Sequence, residues 1–516
     1  MQCTCVRQTD LPNTTKLFTD LIYHFDRVED LYPGPPNDIH AIEAAARFDF
    51  PDDRRVDLVR ALTPANAGNP SLNVLAQPGT VAVVTGQQVG VFSGPAYTVY
   101  KALTAIRIAR QLCERGTRAV PVFWLATEDH DFAEVNHTWV FDAGYRPTKL
   151  EASSSESNGT RPVGGLPLDR LPAAELRAAL AGLPFADEAV DLVERAYRPG
   201  VTMGEAFACM VRELFAPYGL LLIDPLSPAI RQMSAPFMRM AVKRMPELID
   251  ALTARSKELV DRGYHAQVLV DGKSSLAFLL ENGHRTSLRR TAYSTDEIAD
   301  KAEALSPNAL LRPVLQDYLL PTAAYVGGPA ELAYLAQSQV IYERLLGRQP
   351  IAFPRAGFTL LDSHSARHAA KYKLGFTDLF TNERTLREKI AAQVTPRALI
   401  SRLEQTNAAI EAALNALEDD LKRFDVSLAA ALGTSRRKIE YQAAKIARKT
   451  QAQMLLRDHQ AARDAVSLNG LIYPEGHLQE RLYSIVPFLA KFGPGLIENV
   501  YEHVRVDCPD HQFAVI

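Results

Sequence analysis

The chain has 516 residues, 47% of them hydrophobic, and its 57 Lys and Arg nearly balance its 60 Asp and Glu. This length exceeds one simple core and predicts two or three domains, while the balanced charge argues against a nucleic-acid partner. No apolar run approaches the ~18 residues of a membrane span and no hydrophobic signal segment opens the chain, which predicts a cytoplasmic protein that does not enter a membrane.

A strand, a glycine-rich turn and a helix follow one another from residue 81. Val81–Val84 is a run of small and β-branched residues, which is typical of a strand that is buried on both faces. The following turn contributes Thr85, Gly86, Gln87, Gln88 and Gly94. Between residues 97 and 113 apolar residues recur at helical spacing, and this predicted helix carries Tyr100 and Lys101.

The glycine-rich turn has two interpretations. It matches neither the Walker A pattern nor Gly-x-Gly-x-x-Gly, the two standard phosphate-binding motifs. A strand that leads through glycines into a helix N-terminus nevertheless presents backbone N–H groups and the positive end of the helix dipole, which suits an anion. The alternative is a tight turn that only packs the helix against the sheet.

A second apolar run, residues 119–126, predicts a parallel strand that ends in a polar cluster. The cluster and the residues after it are Glu128, Asp129, His130, Asp131, Asn136 and His137. Ionisable groups directly after a buried strand are costly unless they meet water, one another or a ligand. Because ligands bind at the carboxyl ends of parallel strands, we expect the active site here.

The polar cluster has more than one chemical interpretation. Alternation along an extended chain would turn Asp129 and Asp131 to one side and Glu128 and His130 to the other. A histidine beside carboxylates can be a charged donor toward phosphate, or a general acid or base. Acids and histidines together also resemble metal ligands. The remaining alternative is a solvated loop in which Asp131 caps a helix.

Further polar residues punctuate the later core. Residues 150–200 predict an insertion into the core, and residues 267–270 and 276–280 predict a hairpin around 271–272. The residues that we single out are Arg312, Gln316, Asp317, Gly327, Gly328 and Glu331. The two glycines and the glutamate repeat the pattern of a glycine turn that leads into a helix. An arginine suits a carboxylate or phosphate, or it forms a structural salt bridge.

Residues 385–465 predict an antiparallel helical coiled coil. Their heptad positions are Leu403, Asn407, Ile410, Leu414, Leu417, Leu421, Phe424 and Leu428. The break between the two helices is expected either at 425–427 or at 433–435. The coiled coil either forms a dimer or only buries its own two helices. We therefore divide the chain into a core with its insertion (1–384), the coiled coil (385–465) and a C-terminal segment that docks back on the core (466–516).

The combination of motifs resembles the BshC family of bacillithiol biosynthesis. The resemblance rests on Thr85–Gln88, Gly94-Pro95, Tyr100-Lys101, Val120–Trp124, Glu128–Asp131, Asn136-His137, Leu311–Pro313, Gln316-Asp317 and Tyr325–Pro329. It implies an α/β fold with a Rossmann-like parallel-sheet core, helical insertions and an α-helical coiled-coil domain that forms a homodimer. It also implies a ligase that adds cysteine to the amine of glucosaminyl malate and so completes bacillithiol.

Amide ligation needs an activated carboxyl group, because a free carboxylate is a poor electrophile. One hypothesis places the phosphates of ATP over the Thr85–Gly94 turn, with His130 neutralising charge on the transferred phosphoryl group. Asp129 or Asp131 would orient His130 or hold Mg²⁺, a nearby carboxylate would deprotonate the amine, and Arg312 would grip the malate carboxylates. No resident metal site is predicted.

Two alternatives come from other functional classes. The chain could be a dimeric scaffold without catalysis, whose working surface is the coiled coil. It could instead be a metal-dependent hydrolase that uses Asp129, His130, Asp131 and His137 as its polar site.

Overall fold

The computed structural model describes residues 1–271, 274–288 and 294–516. The chain folds into two compact units. The first unit comprises Met1–Ala143, Pro147–Thr359 and Glu480–Ala514, and the second comprises Gly144–Arg146, Leu360–Gln479 and Val515–Ile516. The chain therefore enters the second unit from the first and returns to the first before its C-terminus.

The strands are β1 (Gln2–Val6), β2 (Val81–Gln88), β3 (Ala119–Ala126), β4 (His137–Phe141), β5 (Pro147–Glu151), β6 (Leu221–Ile223), β7 (Ala277–Glu281), β8 (His284–Ser287), β9 (Leu305–Pro307), β10 (Thr322–Gly327), β11 (Ile351–Pro354), β12 (Phe358–Leu361) and β13 (His511–Val515). The helices are α1 (Lys16–Tyr23), α2 (Ile39–Ala45), α3 (Asp52–Leu62), α4 (Ser71–Leu75), α5 (Tyr97–Glu114), α6 (Phe132–Val135), α7 (Ala173–Leu180), α8 (Ala186–Ala196), α9 (Met203–Phe215), α10 (Pro228–Lys243), α11 (Met245–Asp261), α12 (Thr295–Asp300), α13 (Arg312–Leu319), α14 (Pro329–Leu345), α15 (Ser363–Lys371), α16 (Phe376–Leu379), α17 (Glu383–Val394), α18 (Arg397–Phe424), α19 (Val426–Arg457), α20 (His459–Ile472), α21 (Gln479–Leu482), α22 (Val486–Phe492) and α23 (Leu496–Glu502).

A five-stranded parallel sheet organises the first unit. Its spatial order is β11–β10–β2–β3–β6, and every neighbouring pair is parallel. Because the strands follow the chain as β2, β3, β6, β10 and β11, the first strand lies in the middle. The second and third strands lie on one side of it, and the fourth and fifth on the other. This is the Rossmann strand order, in which ligands bind at the carboxyl ends of the first and fourth strands. The predicted Rossmann-like core is confirmed.

The central strand β2 is buried on both faces, as its sequence predicts. Successive side chains of a strand point to opposite faces. Ala82 and Val84 therefore pack into one core, to which α10 and α14 contribute, while Val81 and Val83 pack into another beside α5. A strand that is enclosed on both faces holds its carboxyl end in a fixed position.

Strand β2 is longer than the sequence analysis predicted. Residues 85–88 continue the strand in parallel register with residues 123–126 of β3. The prediction of a turn that begins at Thr85 is therefore wrong. Gly86 lies inside the strand. The position requires glycine because a Cβ there would come within 2.9 Å of the Trp124 Cβ on β3. The turn begins after Gln88 and contains the 3-10 turn Val91–Ser93.

Two segments add small antiparallel sheets to the first unit. Strands β4 and β5 pair as a hairpin that ends where the predicted insertion begins, and the insertion itself contains α7 and α8. Strands β7, β8 and β9 form a sheet in the order β8–β7–β9. The tip of the predicted 267–280 hairpin lies outside the described residues, and β7 pairs with β8 and β9 instead. In the described ranges, no helix is long and apolar enough to cross a membrane.

The second unit contains the predicted helical hairpin. Helices α18 and α19 are separated by Asp425, whose carboxylate caps α19 by accepting a hydrogen bond from the Ser427 N–H at 2.7 Å. Arg436 of α19 donates to Asn415 at 2.7 Å and to Glu418 at 2.8 Å, both on α18. These cross-helix bonds show that the helices run antiparallel. The break lies at the first of the two predicted positions.

Candidate active site

Lys101 connects the carboxyl end of β2 to the start of α14. Its side chain is buried, and its Nζ donates to the Gly86 carbonyl at 2.8 Å and to Gln87 Oε1 at 2.9 Å. It also forms an ion pair with Glu331. Burial lowers the pKa of Lys101, and Glu331 opposes this effect. Three predicted site residues, Gln87, Lys101 and Glu331, therefore meet at the carboxyl ends of the first and fourth strands of the sheet.

Glu331 also closes the turn between β10 and α14. Its carboxylate accepts from the Gly328 N–H at 2.9 Å and from the Tyr325 hydroxyl at 2.7 Å. A Cβ at Gly327 would lie 3.1 Å from the Glu331 Cβ, so a glycine permits this close approach. Lys101 and these hydrogen bonds outweigh burial and lower the pKa of Glu331. The carboxylate is therefore held in its ionised form.

Arg312 supports the same network from α13. It donates to the Tyr325 hydroxyl at 3.2 Å, to the Tyr334 hydroxyl at 2.9 Å and to Gln316 Oε1 at 3.2 Å. Burial disfavours its charge, but Tyr334, Tyr325 and Glu331 outweigh burial and raise the pKa of Arg312. The guanidinium is thus bonded to protein groups. This geometry does not favour the expected direct grip on malate carboxylates.

Gln88 joins the end of β2 to the polar cluster that follows β3. Its Nε2 donates to Asp129 Oδ2 at 2.6 Å and to Glu134 Oε2 at 2.9 Å. Asp129 also accepts from the backbone N–H groups of His130 at 2.7 Å and Asp131 at 3.4 Å. Burial alone would raise the pKa of Asp129, but these hydrogen bonds and a nearby arginine lower it. Asp129 is therefore an ionised group that links the two predicted clusters.

The His130 imidazole faces Arg285, which lies on β8. Arg285 Nη1 lies 3.0 Å from His130 Nδ1 and 4.0 Å from Asp129 Oδ1. Burial and Arg285 lower the pKa of His130 more than Asp129 and Asp131 raise it. Arg285 also acts on Glu128, so Glu128 and His130 share this neighbour. The chain has already left the strand, and both Asp129 and His130 lie against Arg285.

Glu128, the first residue of the polar cluster, is enclosed by the protein. It is 8% exposed, and its Oε1 lies 3.1 Å from Arg231 Nη1 on α10. Burial raises the pKa of Glu128 to about 7, even though Arg231 and Arg285 lower it. A carboxyl group that exchanges its proton near neutral pH suits a general base. Beside it, Thr127 donates to Asp224 at 2.5 Å, and burial raises the pKa of Asp224.

A loop of the insertion fixes the backbone of the polar cluster. The Val163 N–H donates to the Asp129 carbonyl at 2.6 Å, and the Gly164 N–H donates to the Thr127 carbonyl at 2.9 Å. A Cβ at Gly164 would lie 2.4 Å from the Thr127 Cβ, so only glycine fits there without movement. The insertion therefore positions catalytic candidates.

Two predicted site residues lie elsewhere. Tyr100 is fully buried, with its ring 5.1 Å from that of Phe358 in an edge-on arrangement. Asp317 accepts from the Tyr342 hydroxyl and interacts with Thr322, the first residue of β10. Asp317 thus lies at the amino end of that strand, whereas the site lies at its carboxyl end. The polar side chain of Asp317 therefore serves a buried hydrogen bond and not the candidate site.

The residues after His130 have structural contacts. Asp131 caps α6 by accepting from the Glu134 N–H at 3.2 Å, so the predicted helix cap is confirmed. Asn136 follows α6, and its Oδ1 lies 3.2 Å from His137 Nδ1 at the start of β4. Within the three described ranges, no group of three or more His, Cys, Asp and Glu is placed to hold a metal ion.

The glycine-rich segment does not form the expected phosphate cradle. Thr85 Oγ1 donates to the Val326 carbonyl at 2.8 Å. Tyr197 donates to the Gly90 carbonyl at 2.6 Å and accepts from the Ser93 N–H at 3.3 Å. Residues 89–94 are buried. The segment packs against the protein, as the alternative interpretation predicted, and its residues do not fit the phosphates of ATP.

Sequence reasoning missed several residues of the site, namely Arg231, Arg285, Asp224, Ser306 and Gly164. Arg231 and Arg285 supply positive charge to a cluster that is acidic in sequence. Buried acidic residues require nearby cations. The acidic cluster therefore indicates that an arginine or lysine must lie close to it, but it does not identify that residue. The sheet β8–β7–β9 beside the cluster includes the pairing of β7 with β9, which local sequence patterns do not reveal.

Comparison with known proteins identifies the family. The family model "Bacillithiol biosynthesis BshC, N-terminal Rossmann-like domain" matches residues 1–356, and the model "Bacillithiol biosynthesis BshC, C-terminal coiled-coil domain" matches residues 358–516. A relative from Solibacter usitatus is 52% identical over 100% of both chains. Relatives from Koribacter versatilis, 34% identical over 98% of both chains, and Salinibacter ruber, 30% identical over 96% of this chain and 95% of the relative, are also similar. All three carry the name "Putative cysteine ligase BshC". The resemblance noted in the sequence is confirmed: the chain belongs to the bacillithiol biosynthesis BshC family and is a ligase.

Proposed function

We propose that this chain adds cysteine to the amine of glucosaminyl malate and so forms bacillithiol. The observation that carries the proposal is the 2.6 Å hydrogen bond from Gln88 to Asp129. It joins the carboxyl ends of the first and second strands, at the same edge of the sheet where Lys101 joins Gln87 of the first strand to Glu331 beyond the fourth. Open α/β sheets bind ligands at this carboxyl edge. The names of the relatives support the choice of cysteine as one substrate.

The reaction forms an amide between the cysteine carboxyl carbon and the sugar amine. A free carboxylate must first be activated, and we propose ATP as the activating reagent, without assigning its phosphates to the glycine-rich segment. The amine then attacks the activated carboxyl, its proton passes to a base, and the activating group leaves. Glu128 is our candidate base, because its pKa of about 7 lets it accept a proton near neutral pH.

His130 is our candidate for stabilising the negative charge that develops on the acyl oxygen. Fixed hydrogen-bond donors in a site that excludes water stabilise such charge strongly, and removal of one donor costs about 10²–10³ in kcat in well-studied cases. Asp129 and Gln88 fix the backbone from which His130 projects. Arg312 is proposed to act through Tyr325 and Glu331 by holding them in place.

The test is product formation by the purified protein. We would incubate it with glucosaminyl malate and cysteine, with and without ATP, and measure bacillithiol by mass. The proposal predicts product that depends on ATP. The variant His130→Ala should fold normally but lose at least about 10²-fold in rate, whereas His265→Ala, at an exposed position in a loop, should retain the wild-type rate. Near-normal turnover by His130→Ala would exclude the assigned role.

We also propose a cytoplasmic homodimer that associates through the coiled coil. Large apolar side chains remain exposed on its two helices, including Leu417, Leu428, Ile439 and Ile446 at 38–55%. Exposed apolar residues along one helical hairpin favour a partner surface. The five cysteines are all free, which supports a reducing compartment.

A further inference from the structure

We infer that Arg285 is a positioning residue that holds His130 as the neutral imidazole with its proton on Nε2. The inference deepens the proposed function, because it states which form of His130 the reaction would use. It rests on contacts that place one guanidinium N–H against one ring nitrogen. Arg285 Nη1 lies 3.0 Å from His130 Nδ1.

The position of Arg285 is fixed by its surroundings. Its Nε donates to Ser306 Oγ at 3.2 Å and its Nη2 donates to the Pro307 carbonyl at 2.9 Å, both on β9. Its guanidinium stacks 3.9 Å from the centroid of the Phe278 ring on β7. The side chain is 9% exposed. Three strands of one sheet therefore determine where Nη1 lies, and its contact is His130 Nδ1.

The chemistry of arginine decides the form of the histidine. A guanidinium carries only donors and stays protonated in proteins, so it cannot accept a hydrogen bond. The Nδ1 atom of His130 must then be the acceptor, with a free lone pair, and the ring proton must lie on Nε2. In an imidazolium, Nδ1–H would face N–H of Arg285, and two positive groups would lie in contact.

The charged groups around His130 act in opposite directions. Arg285 disfavours the imidazolium, whereas Asp129, with Oδ1 at 3.7 Å from Nδ1, and Asp131 favour it. Asp129 is already bonded to Gln88 and to two backbone N–H groups, and its oxygen lies beyond hydrogen-bond distance of the ring. The direct bond from Arg285 therefore determines the tautomer.

The consequence is a division of roles within the site. With its Nδ1 bonded to Arg285, His130 presents Nε2–H, and no residue in the described ranges hydrogen-bonds to that atom. A neutral Nε2–H group donates a hydrogen bond to a developing oxyanion but does not accept the amine proton. The proton must go to another group, and Glu128 is the candidate that burial has tuned for it.

The test is ¹⁵N NMR of the histidine ring in the substrate-free protein near pH 7.5. The resonances of His130, assigned with His130→Gln, should show an unprotonated Nδ1 and a protonated Nε2. Arg285→Met should lose the single tautomer and move the titration midpoint of His130 upward by about one pH unit, since one neighbouring cation is removed. Arg285→Lys, which keeps a cationic donor, should retain the Nε2–H form. Arg60→Met, at an exposed position on α3, should change nothing.

Two results would overturn the inference. One is a proton on Nδ1 in the wild-type protein, and the other is an unchanged tautomer and midpoint in Arg285→Met with a native fold. The wild-type spectrum decides the question even if Arg285→Met does not fold. In the ligation assay, Arg285→Met should also move the acidic limb of the pH–rate profile upward by about one unit, because protonated His130 is inactive. The NMR measurement uses no substrate, so it stands apart from any failure of the ligase proposal.

Discussion

Gly164→Ala should destabilise the first unit and disturb the site, although the residue is far from β3 in sequence. The new Cβ would lie 2.4 Å from the Thr127 Cβ, 2.7 Å from its Cγ2 and 3.0 Å from its Cα. Carbon atoms prefer separations of about 3.5–4.0 Å, so the loop or the Thr127 backbone must move by about 1 Å. Overpacking of this kind costs about 1–3 kcal/mol. Movement also weakens the Gly164 N–H bond to Thr127, which adds about 1 kcal/mol.

The free energy of unfolding should therefore fall by about 2–4 kcal/mol. Urea unfolding followed by tryptophan fluorescence measures this directly, because the two tryptophans, Trp124 and Trp139, both belong to the first unit. Gly165→Ala is the matched control, since a Cβ there meets nothing within 4 Å. Equal urea midpoints for Gly164→Ala and Gly165→Ala would refute the close approach of the insertion to the polar cluster. Ligation by Gly164→Ala should also be slower.

Three further predictions follow from buried charges and exposed apolar residues. The Glu128 carboxyl has a pKa of about 7 in the folded chain, against an ordinary value of 4.5. The free energy of unfolding of the wild type should therefore fall by about 3 kcal/mol relative to that of Glu128→Gln as pH rises from 4.5 to 7. An unchanged difference between the two proteins across that range would contradict this. Lys101→Met leaves the partly buried Glu331 carboxylate, 21% exposed, without its cation. It should cost about 3 kcal/mol in unfolding free energy, the low end for a buried pair, and the double variant with Glu331→Gln should recover part of this loss. Equal destabilisation in the single and double variants would argue against the ion pair. In analytical ultracentrifugation the wild type should sediment as the proposed dimer, and Ile439→Glu combined with Ile446→Glu should sediment as a monomer. An unchanged sedimentation coefficient would contradict the proposed coiled-coil interface.

The main features of the fold could be predicted because they depend on local patterns. Residues 119–126 form β3 as their apolar run predicts. The helix hairpin breaks at Asp425, where a capping carboxylate follows a heptad pattern. The glycine pair before Glu331 does lead from a strand into a helix. In each case the residues that determine the element lie next to one another in the chain.

The errors arise where a distant residue decides the local structure. The local pattern places Gly86 in a turn, but it is a strand residue whose missing side chain makes room for Trp124. The polarity of Asp317 suggests a site residue, yet its partner is Tyr342. In both cases the sequence indicates that the residue is special, but it does not indicate why. The partner that explains it belongs to another element.

The candidate site could be predicted only in part for the same reason. One half of the site, Glu128 to His130, lies in one short segment and could be identified from its position after a buried strand. Its cationic half could not, because Arg231 lies on α10 and Arg285 on β8. Neither arginine stands out in its own segment. Their importance appears only when the sheet β8–β7–β9 and helix α10 are placed around the turn after β3.

The most direct test of the account is whether Gln88 and Asp129 act as one unit in ligation. We would measure kcat/KM for bacillithiol formation by wild type, Gln88→Ala, Asp129→Asn and the double variant. Because one hydrogen bond joins the two side chains, the effects should be non-additive, with a coupling energy of about 0.5–3 kcal/mol. Strictly additive losses, or full activity in both single variants, would contradict the claim that the ends of β2 and β3 form a single active site.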